Sequence, residues 1–186
     1  MRIIYKGVLV AIELESPRVL LRDWIESDLD PWIALNLDPE NLRFFPRTYS
    51  AEESQASYLR IKEIFATTPF ALWAAEEKSS GQFMGFVGIA RQEIPGLSFM
   101  PCHEIGWRLD KKYWGKGYAT EAARVVLEYG LTDVGLAEIF SFTATTNLPS
   151  INVMKKIGLR ERPELAFAHP RIDDSSPVKN HVVYST

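Results

Sequence analysis

Cysteine is almost missing from this chain. Cys102 is the sole thiol in 186 residues, which excludes an internal disulfide and fits a reducing compartment. Histidine is scarce too: the three present, His103, His169 and His181, show no metal-ligand spacing with acids or cysteine, so no metal site is expected. Adjacent residues on a strand face opposite ways, which argues against a Cys102–His103 nucleophile pair. There is no G-x-S-x-G elbow for a serine hydrolase. G-x-G-x-x-G and G-K-[ST] are absent as well, which weakens a nucleotide-binding reading of any glycine loop. No apolar run approaches the ~20 residues of a membrane span. Net charge is only −3, and no basic stripe marks a nucleic-acid partner. Residues 1–13 hold a short apolar run, but Lys6 interrupts it and no convincing small-residue cleavage site follows. That segment reads as a leading strand or extension, not a signal peptide, and a cytoplasmic location is expected.

What is present suits one α/β domain over residues 1–186. Hydrophobic residues make up 46% of the chain, enough for a sizeable core, and no repeat, low-complexity tract or interdomain linker interrupts it. Val19–Arg22 reads as a strand. Residues 27–36 read as a short helix with Trp32 and Leu35 on its apolar side. Thr48 or Ser50 caps a second helix over 51–66, with Tyr58, Ile61 and Phe65 as its buried stripe. Residues 70–75 and 83–90 form hairpin strands around the turn-rich 78–81, and a final strand lies near 181–184.

The most informative stretch is Tyr113-Trp114-Gly115-Lys116-Gly117-Tyr118-Ala119-Thr120-Glu121-Ala122. It follows a strand over 103–109 and opens an amphipathic helix. Ala122, Val125, Val126 and Tyr129 recur at helical spacing, with Glu121, Arg124 and Glu128 opposite. Gly130 stands where a C-terminal cap belongs. Glycines let the backbone turn tightly and approach a ligand, and a helix start presents unpaired N–H groups and positive dipole. Such a place suits phosphate or diphosphate. A strand over 138–144 follows. Then Asn147-Leu148-Pro149-Ser150 caps a helix bearing Ile151, Met154 and Ile157 on one stripe.

Taken in order, Glu104-Ile105-Gly106-Trp107, the loop Trp114-Gly115-Lys116-Gly117-Tyr118-Ala119, and Asn147-x-x-Ser150 through Lys156-Ile157-Gly158-Leu159 resemble the GNAT family of N-acetyltransferases. The nearest branch resembles bacterial ribosomal-protein N-terminal (alanine and serine) acetyltransferases. The likeness spans about Phe70 to Leu159, and Val19–Arg22 and Phe44-Phe45-Pro46 add to it. It implies a central mixed, mostly antiparallel sheet, splayed between its fourth and fifth strands and flanked by helices. It implies acetyl-coenzyme A as co-substrate, with its diphosphate on the backbone of Gly115, Lys116, Gly117, Tyr118, Ala119 and Thr120. The pantetheine arm would lie between the two splayed strands, bonded by backbone groups of Trp107 and Leu109 in the manner of strand addition. Asn147 would bond the arm, and Lys116 and Lys156 would pair with phosphates.

Two positions depart from the wider family. Trp114 replaces the usual Arg or Gln at the loop's first position, so that charge must come from elsewhere or be omitted. Met154 replaces the Tyr that serves many relatives as general acid, and Ser150, one turn earlier on that face, is the candidate substitute.

The implied reaction needs a neutral amine. At pH 7 roughly a tenth of an α-amine with pKa about 8 is neutral, against less than ~0.1% of a lysine, which favours an N-terminus or small-molecule amine over an internal lysine. Glu104 is the candidate base, direct or through water, and a backbone N–H of the same strand would meet the developing oxyanion. The loops 44–49 and 93–101 are expected to select the acceptor, and the tail 169–186 to shape that site or a dimer contact. Monomer and homodimer are both compatible. A non-catalytic acyl-coenzyme A-binding module of the same fold is the alternative reading.

Overall fold

Runs of β-branched and aromatic residues between turn signals become the strands of this molecule. The computed structural model describes residues 12–186 in full, and the backbone of Ile4–Tyr5 and Val8–Leu9. Those two short strands, β1 and β2, pair antiparallel; the rest of the leading strand expected over 1–13 lies outside the described residues as far as position 11. The main sheet comprises β3 (Leu14–Glu15), β4 (Val19–Arg22), β5 (Leu72–Glu77), β6 (Gln82–Gln92), β7 (Cys102–Leu109), β8 (Phe140–Ala144), β9 (Arg160–Glu161), β10 (Phe167–Ala168) and β11 (Asn180–Ser185). Its order is β3-β4-β5-β6-β7-β8-β11-β10, with β9 also on β11.

Every pairing is antiparallel except β7 with β8, which run parallel and meet at the register pair Glu104–Phe140. Counted from β4, these are the fourth and fifth strands. The sheet therefore splits at the point the resemblance implies.

Helices cover both faces. After a 3-10 turn at Glu26–Asp28 comes α1 (Leu29–Leu37), which buries Trp32 and Leu35. α2 (Ala51–Thr67) is started by a reciprocal capping box. Glu53 N–H donates to Ser50 Oγ at 3.1 Å, and Ser50 N–H donates to Glu53 Oε2 at 2.8 Å, so two orphan donors are satisfied at once. α3 (Tyr118–Tyr129) and α4 (Leu148–Lys156) lie across the other face. Among the described residues no helix is long and apolar enough to cross a membrane.

The core divides by sheet face. Leu21, Trp73, Val87, Ile89 and Ile105 pack against Ala122, Val126, Ile151 and Met154 of α3 and α4. On the opposite face Trp24, Trp32, Leu35, Tyr58 and Ile61 form a second cluster, with Trp24 and Trp32 rings meeting edge to face at 5.3 Å. Burying each such side chain contributes about 1.5–3 kcal/mol.

One boundary differs from expectation. Gly130 does not cap α3. It keeps right-handed helical geometry (φ −61°), and the chain continues through a π turn, Gly130–Val134, to Gly135 at φ 78°. A Cβ on Gly130 would lie 2.6 Å from Ile89 Cδ1 and 2.8 Å from Ile139 Cδ1. The glycine is there to let the helix lie close on the sheet, and the left-handed stop moves five residues on.

Candidate functional site

Beyond Glu104 and Phe140, β7 and β8 diverge, and the gap between them is the organising feature. Asp110 N–H donates to Met84 C=O at 2.8 Å across the β6–β7 pair. Strand alternation then turns the backbone groups of Trp107 and Leu109 away from β6, into the gap. Leu109 C=O already accepts a bond from Trp114 Nε1 at 2.7 Å. An extended ligand lying in the gap therefore finds Trp107 N–H and C=O and Leu109 N–H, with the Leu109 carbonyl shared.

The floor of the gap leads to the glycine loop. Gly115 and Gly117 hold φ of 71° and 85°, a left-handed geometry that other residues adopt only with strain. Gly117 precedes α3 with no side-chain cap, so the N–H groups of Tyr118, Ala119 and Thr120 have no partner within the helix. Glu121 N–H, one position further, bonds Gly117 C=O at 3.0 Å. Arg18 braces the loop from outside. Its Nη1 donates to Lys116 C=O at 3.2 Å, its Nη2 pairs with Glu121 at 2.6 Å, and its guanidinium lies 4.5 Å over the Tyr118 ring. A fixed cluster of N–H donors at a helix start is the chemistry an oxyanion requires.

α4 forms the facing wall. Asn147 Oδ1 accepts from Ser150 N–H at 3.3 Å and so caps the helix, and its Nδ2 donates to Thr143 Oγ1 of β8 at 2.9 Å. Ser150 lines the cleft, and its hydroxyl makes no hydrogen bond to a described residue. Met154 is 1% exposed and belongs to the core, so that position supplies nothing to the cleft.

The cleft has a volume of about 570 Å³ and gathers Trp107, Leu109, Gly115, Gly117, Tyr118, Ala119, Thr120, Asn147, Ser150 and Lys156. Of the ten residues expected to hold the co-substrate, only Lys116 is absent from the lining; its carbonyl is turned to Arg18. Phe44 and Phe45 of the expected acceptor loop also reach the cleft, whereas in the other loop Ile94 is buried and Phe99, half-buried, stacks on Phe140 at 5.4 Å beside a separate cavity.

Glu104 stands apart from that lining. Its side chain shares a sheet face with Gly106 and Arg108, opposite Ala90 of β6. Gln92 Nε2 donates to its Oε2 at 2.7 Å and Phe142 N–H adds a second bond. Burial outweighs both bonds and pushes its pKa up to about 8. Glu104 thus plugs the vertex where β7 and β8 part. Beside it Cys102 is inert, since burial drives the thiol up to about 12, and His103 points to the other face, edge-on to Phe70 at 4.9 Å.

Sequence reasoning missed two cations. Arg43 lines the cleft, stacked 4.7 Å over Trp114 and 4.9 Å over Phe44, and is ion-paired with Glu40. Trp114 thereby holds a cation from a distant loop at the place where its own residue type carries none. Arg108 lines the cleft on the Glu104 face. The period-two rule alone puts it there, two residues beyond Gly106. Among the described residues no cluster of three or more His, Cys, Asp or Glu suits a metal ion.

Residues 18–160 match the profile of the acetyltransferase (GNAT) domain. The Bacillus subtilis protein YkkB is 39% identical over 89 residues, 48% of this chain and 50% of that one. FsC-acetyl coenzyme A-N(2)-transacetylase of Aspergillus fumigatus is 31% identical over 131 residues, 67% of this chain and 55% of that one. The chain spans about half the length of these curated relatives. An acetyltransferase (GNAT family) from Bacillus anthracis superposes with a TM-score of 0.75 at 22% identity, over 94% of this chain and 98% of that one. Mycobacterium smegmatis RimJ, solved in complex with CoA-disulfide, gives 0.72 at 20% identity, over 95% and 86%. At these identities the structural likeness is one of fold.

Proposed function

The chain belongs to the GNAT acetyltransferase family, and on that premise we propose that it moves an acetyl group from acetyl-coenzyme A to a primary amine, a protein N-terminus or a small-molecule amine, by direct attack in a ternary complex. The observation that carries this reading is the gap beyond Glu104–Phe140, whose open strand edge runs into the uncapped start of α3. Acetyl-coenzyme A supplies a thioester carbonyl that a neutral amine attacks, with a diphosphate and an extended amide-bearing arm to anchor it.

The residues of the cleft divide that work. N–H groups of residues 115–120 hold the diphosphate, with Arg43 and Lys156 adding positive charge at the mouth. Trp107 and the Leu109 N–H bond the arm as an added strand. Asn147 fixes the start of α4, and the second Nδ2 hydrogen and second Oδ1 lone pair of its side chain remain to bond the arm. Glu104 accepts a proton from the amine, directly or through water. A carboxyl with pKa about 8 is matched to an α-amine of similar pKa, near the optimum for proton transfer at physiological pH. Ser150, with its hydroxyl in the cleft, relays a proton to the leaving thiolate, taking one from solvent as it gives its own. The name of the Aspergillus fumigatus relative, FsC-acetyl coenzyme A-N(2)-transacetylase, supports nitrogen as the acceptor.

Buried Met154 favours the second reading, a module that binds acyl-coenzyme A without turnover. Thiol release on adding acetyl-coenzyme A and peptides or small amines decides between them. Release that falls in Ser150→Ala and Glu104→Gln variants supports the transferase. Binding of acetyl-coenzyme A with no release over any amine supports the module.

A further inference from the structure

Arg108 is a half-buried cation without an anion among the described residues. Its Nη1 donates to the neutral Asn36 Oδ1 at 2.7 Å, and the hydroxyl of Tyr49 gives it a further polar contact. Its Nε is the one buried side-chain nitrogen or oxygen, among the described residues, that lacks a hydrogen-bond partner. Aromatic rings surround the guanidinium: Phe45 at 4.2 Å, Trp32 at 5.3 Å, Tyr49 at 5.4 Å and Phe86 at 5.7 Å. Such a box orients the planar fork and dries it. A dry guanidinium with spare donors is unfavourable in isolation and well suited to a bidentate oxyanion.

Its position tells which molecule brings that anion. Glu104, Gly106 and Arg108 share one face of β7, each about 6.6 Å from the next along the strand. A Cβ built on Gly106 meets nothing within 4 Å, so open space stands between the carboxyl and the guanidinium. The co-substrate's diphosphate has its own site at the α3 loop, at the far end of the same cleft. The space over Gly106 is where an acceptor amine reaches both Glu104 and the gap.

We infer that the acceptor carries a carboxylate a few bonds from its amine, and that Arg108 binds it while the amine rests over Gly106 beside Glu104. The inference rests on the transferase reading and adds the substrate class to it. A carboxylate fits better than a phosphate. It is planar like the fork, and its single charge matches a single guanidinium.

The test uses matched acceptors: free amino acids against their amides, and peptide amides beginning with aspartate or glutamate against those beginning with asparagine or glutamine. The first pair detects an α-carboxylate and the second a side-chain carboxylate. The wild-type protein is expected to prefer one carboxylate series by roughly ten- to hundredfold in kcat/KM, the size of a charge-assisted hydrogen bond. Arg108→Gln should erase that preference, mainly through KM, and Arg108→Lys should restore part of it. Asn36→Asp is the sharper variant, because it offers Arg108 an internal carboxylate at the same contact. It should preserve or raise the melting temperature, leave acetyl-coenzyme A binding intact and still abolish the preference. A purely structural Arg108 predicts the same gain in stability with the acceptor ratio unchanged, which overturns the inference. Equal rates across each pair, a preference for phosphorylated amines, or turnover restricted to uncharged acceptors overturn it too. Absence of acetyl-coenzyme A binding instead overturns the transferase reading.

Discussion

Two parts of this molecule bury charge in opposite ways. At the β4 edge, Arg22 is held by two carboxylates: Asp28 accepts from Nη1 at 2.7 Å and from Nη2 at 3.0 Å, and Glu76 accepts from Nε at 2.7 Å. Asp28 also accepts from Ile25 N–H at 2.9 Å, so the cluster fixes the turn from β4 into α1. At the cleft, Glu104 has no cation and Arg108 has no anion, though both stand on one face of β7. The hydrogen bond from Arg22 to Asp28 raises its pKa, whereas burial lowers that of Arg108 and raises that of Glu104. Matched charges lock a joint. Unmatched charges, kept apart over a glycine, are what the proposed acceptor would complete.

The largest expected effect lies on the cleft side. Glu104→Gln should lower the acetyl-transfer rate by about 10²- to 10⁴-fold, the usual scale for losing a general base. In the wild type the rate should climb with pH through about 8, where both the acceptor amine and the Glu104 carboxyl lose their protons, and the variant should keep only the shallower rise that belongs to the amine. A pH–rate profile in which both proteins rise in parallel removes Glu104 from the reaction.

Nearly as large is the contrast between the two arginines. Arg22→Met strands Asp28, 1% exposed, and should cost about 3–5 kcal/mol in urea unfolding, since it leaves an uncompensated buried charge. Arg108→Gln removes a cation that has no anion and can keep an amide donor for Asn36, and its unfolding free energy should stay within about 1 kcal/mol of wild type. Equal losses for the two variants would break the comparison.

A third effect is a gain. Glu104 has a folded pKa of about 8 against 4.5 for an ordinary glutamate, so the unfolded chain releases this proton first as pH rises. The folded state is therefore penalised progressively from about the unfolded value up to about 8, and stability from this group is full below that window and lost above it. Glu104→Gln should accordingly unfold at higher temperature than wild type at pH 8 and match it near pH 4. Gain of stability with loss of activity is what an unmatched catalytic group predicts. Smallest is Gly117→Ala, where φ of 85° should cost about 1–2 kcal/mol and shrink the stabilisation given by acetyl-coenzyme A.

Local chemistry made much of this legible in the sequence. The glycine loop, the Ser50 box and the Asn147-x-x-Ser150 cap are short-range devices, and each forms where its residues predict. Gly130 failed as a cap because its role is set by Ile89 and Ile139, distant in sequence. Arg43 and Arg108 went unseen for the same reason. Alternation places Arg108 on the face of Glu104, but its aromatic box and its missing anion appear only when α1 and the loop at 45–49 close over β7. Trp114 read as a lost charge; folded, it carries Arg43 into the cleft.

The most direct test of the account is the melting temperature with and without saturating acetyl-coenzyme A, with ATP and NAD as controls. At one hundred times its dissociation constant a single-site ligand stabilises by about 2.7 kcal/mol, which for a domain of this size is a rise of roughly 5–10 °C. A rise with acetyl-coenzyme A alone is the predicted result. No rise in a folded protein with the ligand well above micromolar, or an equal rise with ATP or NAD, contradicts the claim that the loop and the split sheet form an acetyl-coenzyme A site.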